Sequence, residues 1–133
     1  MTKVSIGFLF SNDSSKVLLM KRLFPEYDNQ QLFTGIGGHV DEGEDSFEAM
    51  FREFIEEAGI VITDWELFAR LEKGELEISF FRAFSDSIFQ NKTMEDDTVM
   101  ICSIPFNLPS HPNLKWLLPL ALDNEPMITK IYY

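Results

Sequence analysis

Residues 38–60 read GHVDEGEDSFEAMFREFIEEAGI, a loop opened by glycine that runs into an acidic, amphipathic segment. Counted from Phe47, the positions Phe47, Met50, Phe51, Phe54, Ile55 and Ala58 follow the i, i+3, i+4, i+7 spacing of one helical face, so a helix packed on a sheet through that face is expected. Asp45 with Glu48 three residues on resembles a capping box, and Gly59 before the β-branched run Ile60-Val61-Ile62-Thr63 is a natural stop. Glu53, Glu56 and Glu57 stand at i, i+3 and i+4, which predicts three neighbouring carboxylates on one stripe roughly opposite the apolar face.

Such crowding has a cost. Each like-charged pair at this spacing opposes the helix by roughly 0.2 to 0.5 kcal/mol, and Arg52 is the only basic residue between Asp41 and Gly59. A solvated acidic face is one reading. The other is a hard divalent cation, Mg²⁺ or Mn²⁺, which takes oxygen ligands, keeps several waters and bridges to phosphates. Spacing alone leaves both open. The stretch Asp41-Glu42-Gly43-Glu44-Asp45 fits an EF-hand poorly, so a calcium loop is set aside.

Outward from this helix the chain reads as strands. Val4–Phe10 and Lys16–Arg22 flank the turn formers Ser11 to Ser15 and predict a hairpin. Gln31–Thr34 predicts a short strand leading into Gly35-Ile36-Gly37-Gly38. Trp65–Leu71 and Glu75–Phe84 predict a second hairpin about Lys73-Gly74, residues 85–97 a polar loop, and Thr98–Ile104 another strand ended by Pro105. Asn113–Leu122 has helical spacing despite Pro119, and Met127–Tyr133 is strand or coil. Strands on both sides of a helix, with a second helix late, predict an α+β or α/β sandwich with a mixed sheet.

The chain has 133 residues, 45% of them hydrophobic with thirteen Phe, enough for one domain with a real core. A formal charge of −11 repels a nucleic-acid polymer, so a phosphate-bearing ligand is expected to be small and escorted by metal. The single cysteine, Cys102, excludes an internal disulfide and reads as a buried small apolar residue rather than a nucleophile. The N-terminal apolar run is too short for a signal segment or membrane span, which predicts a cytoplasmic protein without a membrane partner. Either a monomer or a homodimer is compatible with these features.

The loop and helix together carry a longer pattern. Gly38, Glu44, Arg52, Glu53, Glu56, Glu57 and Gly59 stand at the spacings of the Nudix box, a match that chance would give on the order of once in a million. The chain therefore resembles the Nudix hydrolases over the whole domain, and Phe54, where the family usually has an aliphatic residue, departs only in packing. The resemblance implies an α/β/α sandwich with a mixed β-sheet between helices. It implies hydrolysis of a diphosphate linkage in a nucleotide by water, with divalent cations held by Glu53, Glu56, Glu57 and the backbone carbonyl of Gly37 or Gly38. It gives Arg52 the task of orienting a box glutamate, and Glu44 a part in holding metal-bound water or in base catalysis. A further acid near a late strand serves many members as base or ligand, for which Glu95, Asp96 and Asp97 are the candidates. A solvated loop is their alternative.

Substrate choice rests on weaker resemblances. Between Val61 and Thr98 there is neither the Pro of ADP-ribose hydrolases nor the Tyr of dinucleoside polyphosphate hydrolases, and no coenzyme A motif. Asp123-Asn124-Glu125-Pro126 is similar to the segment by which MutT-like members read oxidised guanine, which gives Asn124 that role; a turn Asn is the alternative. Lys21-Arg22 resembles a basic pair of the same members, so Arg22 is a nucleotide contact or a surface residue at a strand end. Ile104-Pro105-Phe106, Trp116 and Pro119-Leu120 resemble the family's human oxidised-purine triphosphatase, but its base-reading acids fall on Pro112 and Asn113 here. His39 is placed to donate to phosphate or is a loop residue, His111 reads as exposed and Trp116 as core. The expected activity is a MutT-like nucleoside triphosphate pyrophosphatase. Its rivals are hydrolysis of ADP-ribose or another nucleotide sugar, and a non-catalytic Nudix-fold nucleotide-binding domain.

Overall fold

Strands β1 (Thr2–Phe10) and β2 (Lys16–Phe24) begin as the expected hairpin in the computed structural model, which describes residues 1–91, 98–123 and 129–132. Asp13 closes the turn: its Oδ1 accepts from Ser15 Oγ at 2.7 Å, Ser15 N at 3.0 Å and Ser11 Oγ at 2.7 Å. These donors, the Ser15 hydroxyl first, hold its carboxyl down at about 2. The two strands pair only at Leu9 with Leu18 and Phe10 with Val17, then diverge. The gap is filled by β3 (Gln30–Thr34), which pairs with β2, and by β4 (Ile36–His39), which pairs antiparallel with β1 from Val4 to Gly7.

The other edge of β1 is covered along its whole length by β6 (Leu76–Phe84), parallel to it. β5 (Glu66–Lys73) forms the expected hairpin with β6, with a bulge between Leu67 and Ala69. β7 (Val99–Ser103) adds antiparallel to β2, and β8 (Thr129–Tyr132), the described part of the C-terminal stretch, adds parallel to β5 as a strand. Among the described residues the result is one mixed eight-stranded sheet.

Alternation divides the apolar residues between its two faces. Phe8, Phe10, Val17 and Leu19 meet Leu114, Leu117, Leu118 and Ala121 of α2 (Leu114–Ala121). Leu9, Leu18 and Met20 meet Met50, Phe54 and Ala58 of α1 (Ser46–Ala58) on the opposite face. The architecture is therefore the expected α/β/α sandwich. Phe54 is fully buried and stacks edge-on against Trp65 at 4.9 Å, so truncation to Ala would cost about 3 to 5 kcal/mol. No helix among the described residues is long and apolar enough to cross a membrane.

Several expectations are corrected. Phe47 and Phe51 are 48% and 38% exposed, and the buried arc of α1 is instead Ala49, Met50, Phe54 and Ala58. The helix is rolled so that Phe47 reaches Phe81 from the margin, ring centres 4.8 Å apart, and Glu53 turns toward the sheet with only 13% of its side chain exposed. The acidic stripe therefore flanks the apolar face rather than opposing it. The polar loop after β6 contains a 3-10 turn, Asp86–Gln90, capped by Ser85 and anchored by buried Ile88. His111 is half-buried beside Phe24 and Tyr27, at 5.0 and 5.5 Å between ring centres. Trp116 is likewise half-buried, packed on the margin of the α2-side core. Cys102 is buried as expected, and burial pushes its thiol up.

Candidate active site

The capping box predicted for α1 is formed in full. Asp45 accepts from Glu48 N at 2.8 Å and Glu48 accepts from Asp45 N at 2.9 Å, while Gly59 ends the helix at φ 71°. Ser5 on β1 donates to the carbonyl of Ser46 at 2.8 Å, which fixes the start of the helix on the sheet. With both ends set, α1 lies across β4 and brings the Glu53 carboxylate onto Gly38. A Cβ added to Gly38 would stand 2.7 Å from Glu53 Oε1, and one added to Gly37 would stand 1.8 Å from the carbonyl oxygen of Ser5.

Arg52 is the hub of the acidic cluster. Its Nε donates to Glu44 Oε2 at 3.0 Å and its Nη2 to Glu44 Oε1 at 2.7 Å, a two-pronged pairing. Nη1 reaches Glu53 Oε1 at 2.9 Å and Glu56 Oε2 at 3.2 Å, and Nη2 also donates to the carbonyl of His39 at 3.0 Å. Asp41 stands at 3.4 Å from Nη2. One arginine thus touches three of the box glutamates and offsets more of their repulsion than the sequence alone implied. The pairing with Glu44 contributes most to raising the Arg52 pKa. Reciprocally, the Arg52 hydrogen bonds hold the Glu44 carboxyl below its ordinary value against partial burial, helped by the Asp41 N–H at 2.9 Å.

The other predicted residues are placed less centrally. Glu57 is half-buried on α1. His39 is exposed and meets the cluster through its carbonyl. Arg22 is exposed on β2 opposite Leu32 of β3, whereas Gly37 and Gly38 lie on β4, which pairs with β1. Asn124, Glu95, Asp96 and Asp97 lie outside the described residues. Sequence reasoning missed Asp41 and Ser5. Both enter through the fold: the Asp41 N–H donates to Glu44 across the Gly43 turn at φ 86°, and the Ser5 hydroxyl donates to the carbonyl of Ser46, 41 residues on.

A model of the NUDIX domain matches residues 1–122. The chain belongs to the NUDIX family. An RNA pyrophosphohydrolase of Ruthia magnifica subsp. Calyptogena magnifica is 35% identical over 71 residues, a match spanning 53% of this chain and 37% of that protein. The mutator MutT protein of Bacillus halodurans superposes with a TM-score of 0.74 at 17% identity, covering 100% of this chain and 90% of that one. An ADP-ribose pyrophosphatase of Streptococcus suis 89-1591 superposes at 0.69 with 16% identity, covering 97% and 98%. At such identities these structures share the fold.

The box supplies oxygen donors only, the set a hard divalent cation takes, and the Glu53 carboxylate against Gly38 brings one of them to the β4 backbone. In this arrangement Glu53 and Glu56 are turned onto Arg52, and among the described residues no three acidic, His or Cys side chains converge as a ready-made metal cage. The donor chemistry fits the NUDIX cation, and its arrangement here is held by an internal cation, Arg52.

The two glycines should fail differently. In Gly37→Ala the methyl meets β1 backbone, which cannot give way, so the protein should lose about 3 kcal/mol of stability in urea unfolding. In Gly38→Ala the obstacle is the end of a flexible side chain, so stability should change by less than about 1 kcal/mol while Glu53 is displaced and turnover falls about a hundredfold. Equal losses of stability in the two variants would contradict this assignment.

Stability should also depend on Glu44. Its folded pKa is depressed, so its contribution is fully present above the ordinary glutamate value of 4.5 and is lost as the pH falls below that toward the folded value. Glu44→Gln should flatten this part of the stability–pH curve, as measured by thermal melts from neutral to acidic buffer. An unchanged slope would separate Glu44 from the acid limb.

Proposed function

We propose that this chain is a Mg²⁺-dependent pyrophosphohydrolase that converts a nucleoside triphosphate to the monophosphate and pyrophosphate, with an oxidised purine nucleotide as its preferred substrate. The observation that carries the reading is the cluster of Glu44, Glu53 and Glu56 on Arg52, seated on Gly38. Glu53, Glu56 and Glu57, with the carbonyl of Gly37 or Gly38, would hold the cation, and Mn²⁺ has the same ligand preference. Bound there, the cation would neutralise phosphate oxygens and acidify an attacking water.

The chain's own residues have separable tasks in this scheme. Arg52 holds the carboxylates of Glu44, Glu53 and Glu56 in place. Glu44, whose two oxygens both accept from Arg52, acts as a positioning residue rather than as the base. The general base is left to the acidic stretch Glu95, Asp96 and Asp97, and recognition of the purine to Asn124, with Arg22 and His39 as phosphate or nucleotide contacts. The Asn-Glu-Pro segment supports the oxidised-purine preference because an amide offers both a donor and an acceptor to the base edge.

A second reading, removal of pyrophosphate from an RNA 5′ end, is favoured by the 35% identity to an RNA pyrophosphohydrolase and opposed by the charge of −11. A panel of 8-oxo-dGTP, dGTP, ADP-ribose and 5′-triphosphorylated RNA, assayed with Mg²⁺ and resolved by chromatography, separates the readings. Preferential release of monophosphate from 8-oxo-dGTP is expected. Preferential cleavage of ADP-ribose or RNA would overturn the proposed substrate, and no turnover of any nucleotide would leave a binding domain.

A further inference from the structure

Along β1, alternation sends Ser5, Gly7 and Leu9 to the α1 face of the sheet. Leu9 packs in the α1-side core, and Gly7 lies under the Met50 thioether, which an added Cβ would meet at 2.8 Å. Ser5 is the polar one of the three and is fully buried. A buried hydroxyl is unfavourable unless it is hydrogen-bonded, and packing alone would be served by Ala. The Ser5 hydroxyl donates to the carbonyl oxygen of Ser46 at 2.8 Å. Because that acceptor is main chain, the bond holds the helix itself rather than the rotamer of a side chain.

On its other side the same residue supports the loop that opens the box. Its backbone stands opposite Gly38 of β4, and its carbonyl oxygen is the atom that an added Gly37 Cβ would meet. The Glu53 carboxylate rests on Gly38, seven residues beyond Ser46 and so about 10 Å along the helix. Ser5 therefore touches both halves of the site, β4 through its main chain and α1 through its side chain. The capping box of Asp45 and Glu48 closes the end of α1 without Ser5, so loss of the hydroxyl leaves the helix intact and frees only its seat.

We infer that Ser5 is a positioning residue for the cation, its hydroxyl setting the spacing between the carboxylates of α1 and the carbonyls of β4. This rests on the cation site proposed at Glu53, Glu56, Glu57 and Gly37 or Gly38. A helix moves as a unit, so a lift at Ser46 is carried to all three carboxylates together. Mg²⁺ demands near-ideal octahedral geometry, so the loss is read as weaker metal binding, which a higher metal concentration offsets.

The test is Mn²⁺ binding to the full chain without nucleotide, followed by the electron paramagnetic resonance signal of the free ion, with thermal melts by circular dichroism on the same preparations. Ser5→Ala should raise the Mn²⁺ dissociation constant about tenfold, equivalent to about 1.4 kcal/mol, while kcat at saturating Mg²⁺ stays within about twofold of native. Ser79→Ala removes the buried hydroxyl beside Ser5 on β6, whose far neighbour is Arg70 of β5 rather than β4, and should leave the Mn²⁺ affinity unchanged. A hydroxyl with a merely structural role would lower the melting temperature and leave the affinity of the folded protein where it was. Native Mn²⁺ affinity in Ser5→Ala, or equal weakening in Ser79→Ala, would overturn the inference while leaving the cation site standing. No Mn²⁺ binding by the native protein would overturn the cation site itself, and the inference with it.

Discussion

Glu57→Gln is expected to lower kcat toward a nucleoside triphosphate in Mg²⁺ by about three orders of magnitude, roughly 4 kcal/mol of barrier. The amide keeps the shape of the carboxylate and removes its charge, and a hard cation needs anionic oxygen to compete with water. Met50, Phe54 and Ala58 carry the packing of α1, so the melting temperature should stay within about 3 °C of the native value. Steady-state kinetics and a thermal melt on the same preparation check both halves. Activity within about tenfold of native would remove Glu57 from the proposed cation site.

Arg52→Met carries the second large effect, and it acts on stability as well as turnover. The substitution leaves Glu44 and Glu53, whose side chains are only 16% and 13% exposed, without their shared cation. Leaving partly buried carboxylates unpaired should cost about 2 to 3 kcal/mol, below the figure for fully buried pairs because solvent still screens the cluster. Turnover should fall about a hundredfold as Glu53 and Glu56 lose their orientation. Arg52→Lys should recover little of either, since an ammonium cannot reproduce the fork that grips both Glu44 oxygens. Adding Glu44→Gln to Arg52→Met should cost less than the sum of the two single changes, because the second removes a charge that the first stranded. Additive losses in a urea-unfolding cycle would show that the two residues are not coupled.

The residues that could be read in advance were those governed by local rules. The ends of α1 follow from Asp45, Glu48 and Gly59, whose hydrogen bonds span only a few residues. The two-layer division of the sheet follows from alternation at Phe8, Leu9 and Phe10. What could not be read depends on how distant pieces rest on each other. Phe47 and Phe51 continue the helical period yet remain exposed, because the roll of α1 is set by its seat over Gly38 and Phe81 rather than by the period. The reach of Arg52 to Glu53, Glu56 and the His39 carbonyl is likewise a consequence of docking. Pairings such as β1 with β6 have no local signature.

The divergence of β1 from β2 has a consequence for the order in which the protein can assemble. β1 pairs with β4 on one edge and with β6 on the other, so Ser5 lies between Gly38 and Ser79. Pairing over such sequence separations is slow to form, since loop closure must precede the contacts that reward it. During synthesis β1 waits for Leu76–Phe84 to leave the ribosome before its second edge is covered. The acidic cluster of α1 and β4, resting on the strand held between β4 and β6, is therefore a late product of folding, and a nascent chain arrested before β6 would carry every box residue without the sheet that seats them.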